Sequence, residues 1–349
     1  MYNFPLLIKP ISDLCNLNCT YCFYKDRPTL PKILQKKMKS ETLKRMISVY
    51  EPYIEEPCYI WQGGEPTLLG LDFFREANYL QTKTNTTNIL QTNGLMIDED
   101  WASFFKENSW FIGVSLDSKE NKARGMDTSR VEETINLLKK FEVPYNLLCT
   151  VSKDNVYNPE KTIRYLSQWG TNIQFIPAQP LTPGCFSEAP TGAEYRDFLK
   201  GVLDAYRELE SYPVIENFEQ AALAWNNVHM NCESTQRCGT YLTIEADGGI
   251  YPCDFFVEEK WKIGNIFDIG NMTHIFGKDN RMESFRDLKE IPNDTCESCY
   301  VKNICNRGCP RHRYLNNASH KDLSIYCEAH KFTYQVGYLT NNERIKSLK

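Results

Sequence analysis

The first half of this chain has no histidine. All five histidines lie at or beyond residue 229, so residues 1–228 offer neither an imidazole base nor an imidazole metal ligand. Long apolar runs are missing too. Nothing approaches the roughly 18 apolar residues of a membrane span, and the opening FPLLI is broken at Lys9 and Pro10, too short for a signal h-region. Positive charge is not in excess: 40 Lys+Arg stand against 45 Asp+Glu, a net charge of -5, which removes the broad basic footprint of a nucleic-acid binder. These absences predict a cytoplasmic protein that uses neither a membrane nor a nucleic acid. Cysteine, by contrast, is abundant, with 14 in 349 residues. The cytosol keeps thiols reduced, so clustered cysteines there read as metal ligands before disulfides. With 42% hydrophobic residues the chain can build a sizeable core, and its length suggests two domains.

Six apolar, β-rich segments punctuate the first half: PLLIKPIS, CYIWQGGEP, TNILQTNG, WFIGVSLD, YNLLCTVS and NIQFIPAQP. Amphipathic stretches such as SETLKRMISVYEPYI, DEDWASFFKEN, TSRVEETINLLKKF and NPEKTIRYLSQW lie between them, with Ser40, Asp98, Ser129 and Asn158 as expected N-caps. Repeated β-α alternation implies a parallel sheet with right-handed crossovers, in which working residues gather at the carboxyl ends of strands. The Pro/Gly/Ser-rich segment from Pro180 to Tyr195 marks a boundary. The expected division is 1–180, a linker with two helices over 181–230, and a cysteine-dense region over 231–349 that holds eight of the fourteen cysteines.

CNLNCTYCFY places Cys15, Cys19 and Cys22 in one short loop after the first strand. A structural zinc site would be closed and tetrahedral, commonly from paired C-x2-C arms. No histidine or fourth cysteine closes this one. Three thiolates suit a cubane [4Fe–4S] cluster with one iron left for an exogenous ligand. Further on, Cys232, Cys238, Cys253, Cys296, Cys299, Cys305, Cys309 and Cys327 make two complete four-ligand sets. A zinc ribbon is the competing reading of the C-x2-C pair. Cys58 and Cys149 sit in apolar strands as small core residues, and Cys185 is given no role.

C-x3-C-x2-C after a first strand, followed by QGGEP, QTNG and VSLD at successive strand ends, resembles the radical S-adenosylmethionine (SAM) superfamily. The resemblance implies a partial (β/α)6 barrel. Cys15, Cys19 and Cys22 would hold the catalytic cluster, and Gly63, Gly64, Glu65 and Ser115 would meet SAM. One electron would cleave SAM to methionine and a 5′-deoxyadenosyl radical, which takes a hydrogen atom from an unactivated C–H bond. The C-terminal cysteines resemble the SPASM extension of peptide-modifying members. That likeness implies two auxiliary [4Fe–4S] clusters, one on Cys232, Cys238, Cys253 and Cys309, the other on Cys296, Cys299, Cys305 and Cys327, and so three clusters in all.

LLIKP, QGGEPTLLGLDFF, LQTNGLMIDEDWA, IYPCDFFVEEKWKIGNI and CNRGCPRHR are similar to segments of the anaerobic sulfatase-maturating enzymes. These oxidise a Cys or Ser of a sulfatase to Cα-formylglycine. On this likeness Asp254 matches the proposed base, Tyr24 and Gln62 match residues near the substrate, and the partners are a sulfatase or peptide and an electron donor such as flavodoxin or ferredoxin. The chain departs after VSLD, where SKENKARGMDTSR is shorter than the family's loop and lacks its histidine. Either Arg124 replaces the Arg that meets SAM, or the loop is remodelled for another peptide. A maturase of ribosomally made peptides, forming a thioether, a crosslink or an epimer, is the alternative reading. A plain iron–sulfur electron carrier is a third, and it has no use for GGE.

Overall fold

A computed structural model of the chain describes residues 3–24, 36–119, 122–278 and 280–347. Six strands follow the apolar segments read from the sequence: β1 (Leu6–Lys9), β2 (Cys58–Trp61), β3 (Thr87–Thr92), β4 (Phe111–Ser115), β5 (Tyr145–Val151) and β6 (Asn172–Pro177). Helices α1 (Ser40–Tyr50), α2 (Leu71–Leu80), α3 (Glu99–Glu107), α4 (Ser129–Lys140) and α5 (Pro159–Trp169) cross between them. After the linker come α6 (Gly192–Tyr206), β7 (Val214–Ile215) and α7 (Glu216–Ala224). The cysteine-rich half contributes β8 (Leu242–Glu245), β9 (Gly249–Tyr251), β10 (Gly264–Asn265), α8 (Thr273–Lys278) and α9 (Asn280–Glu290). Then follow α10 (Asp294–Glu297), α11 (Lys302–Cys305), α12 (Pro310–Asn317) and α13 (Cys327–Ser347).

The strands form one sheet in the order β10-β9-β8-β1-β2-β3-β4-β5-β6-β7, parallel from β8 to β7. The order is linear, so the barrel stays open. The parallel six-strand unit is the expected one, but three strands of the C-terminal half extend it. In particular β8 pairs with β1 residue for residue, from Leu6 opposite Leu242 to Lys9 opposite Glu245. Nothing in local periodicity announces a pairing across so much intervening chain.

Alternation along the strands separates two faces. Leu6 and Ile8, Tyr59 and Trp61, Ile112 and Val114 bury themselves under the helices. The alternate residues, among them Ile60, Gln62, Gln91, Ser115 and Gln174, are half-buried on the inner face. Trp61, Phe74 and Trp110 pack edge-on and stacked in the helix-side core. Removing such a ring costs about 3–5 kcal/mol. Cys149 is fully buried and Cys58 half-buried.

The helix starts correct the sequence reading at two positions. Asp98 caps α3 through its side chain, accepting from the Trp101 N–H at 3.1 Å. Ser40 and Ser129 are the first residues inside their helices, not caps, and the caps are Lys39 and Thr128. Ser40 instead bonds Glu76 at 2.5 Å. Asn158 stands at the cap of α5 without a side-chain bond, where Pro159 supplies the preset φ. Among the described residues no helix is long and apolar enough to cross a membrane.

Candidate functional site

The loop carrying Cys15, Cys19 and Cys22 lies at the carboxyl end of β1, against the turn after β2. The Gly64 N–H donates to the Ser12 carbonyl and the Glu65 N–H to the Leu14 carbonyl, each at 2.8 Å. A Cβ on residue 64 would sit 1.8 Å from the Leu14 oxygen, and Gly63 has φ +138°. Only glycine fits there. Glu65 is buried; its carboxylate accepts from Thr67, from the Thr92 hydroxyl at 2.8 Å and from the Asn93 N–H at 2.7 Å. It thereby ties the β2 turn to the end of β3. On the other side, the Thr20 N–H reaches the Ala123 carbonyl at 2.8 Å and the Thr20 hydroxyl reaches Glu188 at 2.6 Å.

Burial raises the Cys15 and Cys19 thiols, and neighbouring thiols of the same loop raise them further, while Arg124 opposes the rise. The three sulfurs are therefore gathered closely enough to repel as thiolates. A cationic iron centre among them reverses that penalty, because metal binding deprotonates thiols. The donor set fits a cluster with one open position.

Arg124 is buried in the short turn Lys122–Arg124, 3.8 Å from Asp117. Asp117 in turn accepts from the Tyr21 hydroxyl at 2.6 Å and the Thr150 N–H at 2.7 Å. Ser115 and Arg124 line one small crevice together with Ser118. The buried Ser118 hydroxyl has no hydrogen-bond partner among the described residues. A positive charge and two hydroxyls, one of them unsatisfied, beside the cysteine loop suit a small zwitterionic cofactor such as SAM.

Asp254 opens a short turn directly after Cys253 and is buried. Its Oδ1 accepts from the Tyr241 hydroxyl at 2.8 Å, and its Oδ2 faces Gln62 Nε2 at 3.4 Å. The Tyr241 hydroxyl is also 3.2 Å from the Cys253 sulfur. Tyr24 lies nearby, its ring centroid 4.6 Å from the Lys9 ammonium, which also reaches the Asp254 carbonyl oxygen at 3.4 Å. The three residues expected near the reacting atoms, Tyr24, Gln62 and Asp254, thus converge. Lys9, Tyr241, Asp117 and Asn93 belong to this neighbourhood and escaped the sequence reading. A lone lysine in a strand and a tyrosine before one carry no pattern. Asn93 lay inside the quoted QTNG, and it now bonds Asn16 at 2.8 Å in the cysteine loop.

The remaining cysteines fall into two groups. Burial raises the thiols of Cys232, Cys238, Cys253 and Cys309, and thiols of the same four raise Cys232, Cys253 and Cys309 further. Cys232 is pushed up to about 12. The same holds among Cys296, Cys305 and Cys327, with Cys299 among the groups that raise them, and Cys305 also reaches about 12. Those four line one small cavity with Lys302, Arg307 and Lys331 on its wall. All fourteen cysteines are free. Two gathered thiol quartets fit two fully ligated iron–sulfur clusters. Glu233, Cys309 and His312 also bring ligand atoms within 4.8 Å of one another. His312 Nδ1 lies 3.1 Å from Glu233, and Gln179 is 3.1 Å from its other nitrogen, so the imidazole already has partners at both ends.

Comparison with known proteins agrees with this geometry. The sequence profile of the Radical SAM superfamily matches residues 10–166, and that of an iron-sulfur cluster-binding domain, SPASM, matches residues 232–300. A cysteine-type anaerobic sulfatase-maturating enzyme of Clostridium perfringens is 33% identical over 95% of this chain and 96% of its own. A serine-type one of Klebsiella pneumoniae is 29% identical over 92% of this chain and 84% of its own. The solved structure of native anSMEcpe with bound AdoMet and Cp18Cys peptide superposes with a TM-score of 0.87 at 31% identity, covering 99% of each chain. This chain is a radical SAM enzyme with a SPASM domain, and it belongs to the family of anaerobic sulfatase-maturating enzymes.

Proposed function

We propose that the chain oxidises a Cys or Ser side chain of a sulfatase to Cα-formylglycine, with Asp254 as the base. One observation carries the reading. The Asp254 carboxylate is buried between Gln62 from the barrel and Tyr241 from the cysteine-rich half, one residue from a cluster ligand. When bound, the reduced cluster on Cys15, Cys19 and Cys22 together with SAM supplies the 5′-deoxyadenosyl radical that removes the substrate Cβ hydrogen. Arg124 and Ser115 hold SAM, with the Gly63–Glu65 turn along its methionine end. Asp254 takes the thiol or hydroxyl proton, for which the first half has no histidine. Cys232, Cys238, Cys253 and Cys309 would hold an auxiliary cluster beside Asp254 that could accept the remaining electron. Cys296, Cys299, Cys305 and Cys327 would hold a third cluster, which could exchange electrons with an exogenous carrier such as flavodoxin or ferredoxin. Tyr24 and Gln62 flank the substrate. Residues 1–180 form the SAM-binding barrel, 181–230 the linker with its helices, and 231–349 the auxiliary-cluster domain, in a reducing cytoplasm.

The test uses anaerobically reconstituted protein, expected to hold about twelve irons and twelve sulfides per chain. A peptide with the sulfatase signature Cys/Ser-x-Pro/Ala-x-Arg should lose two hydrogens, and a Cys target should also exchange sulfur for oxygen. Stoichiometric zinc with little iron overturns the cluster assignment. A thioether, crosslink or epimer on another native peptide, with no change in the sulfatase peptide, transfers the chain to the ribosomal-peptide maturases.

A further inference from the structure

Lys9 is a fully buried lysine at the carboxyl end of β1, six residues before the first cysteine of the loop. A lysine there demands a reason, since a buried ammonium without compensation is strongly unfavourable. An opposite charge faces it from β8. Glu245, also fully buried, is the register partner of Lys9 across the parallel pair, so the two side chains leave the sheet on the same face. Burial raises the Glu245 carboxyl and Lys9 lowers it, the charge–charge attraction expected of such a pair.

The pair does more than neutralise itself. The Lys9 ammonium lies 3.4 Å from the Asp254 carbonyl oxygen, 4.6 Å from the Tyr24 ring centroid and 5.5 Å from that of Phe23. The two rings pack together at 4.3 Å, and Phe23 meets Phe255 edge-on at 5.7 Å. Residue 9 also lies under the glycine turn, with its Cα and Cβ 3.5 Å from where a Gly63 Cβ would stand. The ammonium of one buried lysine therefore meets the segment after Cys22 and the main chain at Asp254, while its Cα and Cβ lie under the turn after β2. Opposite charges placed only for stability need none of these extra contacts.

We propose that Lys9, set opposite Glu245 through the β1–β8 register, is a positioning residue that holds Tyr24 and the Asp254 segment in the mutual placement at which hydrogen abstraction and proton removal act on one substrate side chain. The inference rests on the oxidation proposed above. It acts through aim and not through ligation: without Lys9 the radical is still generated, but its product is formed less often per turnover of SAM. Misplacement of reacting groups by about an ångström is enough to cost a hundredfold in rate.

Lys9→Met alone leaves Glu245 buried and uncompensated and risks misfolding, so the deciding variant is Lys9→Met/Glu245→Gln, which removes both charges and keeps the volume. Full-length, anaerobically reconstituted wild type and double variant are compared for iron content, 5′-deoxyadenosine, formylglycine in a sulfatase-signature peptide, and KM against kcat. The expected result is wild-type iron and 5′-deoxyadenosine formation, with formylglycine per 5′-deoxyadenosine reduced at least about tenfold, mainly in kcat. An unchanged ratio in the double variant overturns the role of Lys9 while leaving the proposed function standing. Loss of iron from the double variant overturns it as well, because the pair is then a folding element. Wild-type protein that makes no formylglycine overturns the proposed function, and this inference with it.

Discussion

Asp254 accepts hydrogen bonds from residues far apart in the chain, Gln62 and Tyr241, and this placement makes a sharp test of its role. Asp254→Asn keeps the shape and removes the basicity. The variant should retain all three clusters and still make 5′-deoxyadenosine, while formylglycine falls by at least about a hundredfold, the scale of losing a general base. Formylglycine at the wild-type rate would make Asp254 a turn residue. Gly64 supports a second prediction at this scale. Gly64→Ala must push the Leu14 carbonyl away from a Cβ otherwise 1.8 Å distant, so the cysteine loop shifts. We expect the variant to lose about a third of its iron, the share of one cluster in three, together with SAM cleavage. Full iron and normal 5′-deoxyadenosine would show that the loop relaxes freely. The motif residues were legible because strand-end chemistry leaves fixed spacings. Lys9 and Tyr241 were not, because their roles depend on partners that only the folded chain brings near.

At the level of elements, α6 carries the most complete helix start in the structure. Thr191 accepts from the Glu194 N–H at 3.2 Å and the Glu194 carboxylate accepts from the Thr191 N–H at 2.7 Å, a reciprocal capping box. The Glu194 carboxylate also takes the Lys153 ammonium at 2.5 Å, tying α6 to the end of β5. Burial raises this carboxyl, but Lys153, Tyr157 and the Thr191 donors outweigh it and hold the group near about 2. An unfolded glutamate titrates near 4.3. The folded value is depressed, so the stabilisation is complete above about pH 4.3 and fades as pH falls toward 2. Denaturation of wild type and Glu194→Gln across that window should show a stability difference that shrinks on acidification. Acid damage to clusters is common to both proteins and cancels in the difference. A pH-independent difference would remove the ion pair from the account. Thr191→Ala should cost about 1 kcal/mol above that window. The strands and crossing helices were legible from period and composition. The caps at Ser40 and Ser129 were misread because a serine at N1 and a serine at the cap look alike in a sequence when neither side chain is seen.

Across the whole molecule, the auxiliary-cluster half and the SAM-binding half share one sheet, with β8 completing the exposed edge of β1. Helix α13 returns from the last cysteine to pack on α6 and α7. The halves are therefore expected to unfold together. Calorimetry of the holoprotein should give one transition. Chain cut at residue 230 should be insoluble, because β1 then presents an unpaired apolar edge and buried Lys9 loses its counter-ion. A soluble, SAM-cleaving 1–230 fragment would contradict this. Joint ownership of a sheet was not legible. The strands β8, β9 and β10 are 4, 3 and 2 residues long and lie among cysteines whose spacing dominated the reading.

The position of β1 has a consequence for how the chain is made. Its edge partner, and the Asp254 segment 245 positions downstream of Lys9, emerge from the ribosome roughly ten to fifty seconds later at ordinary elongation rates. Throughout that interval the first strand waits with a hydrophobic edge open and a cationic side chain unpaired, and the triplet of thiols beside it hangs on an unfinished scaffold. Iron delivered early would meet loose thiols instead of a shaped pocket. This order of synthesis predicts that cluster insertion follows synthesis of the far half: iron supplied to chains arrested before residue 242 should not be retained by the Cys15–Cys22 loop.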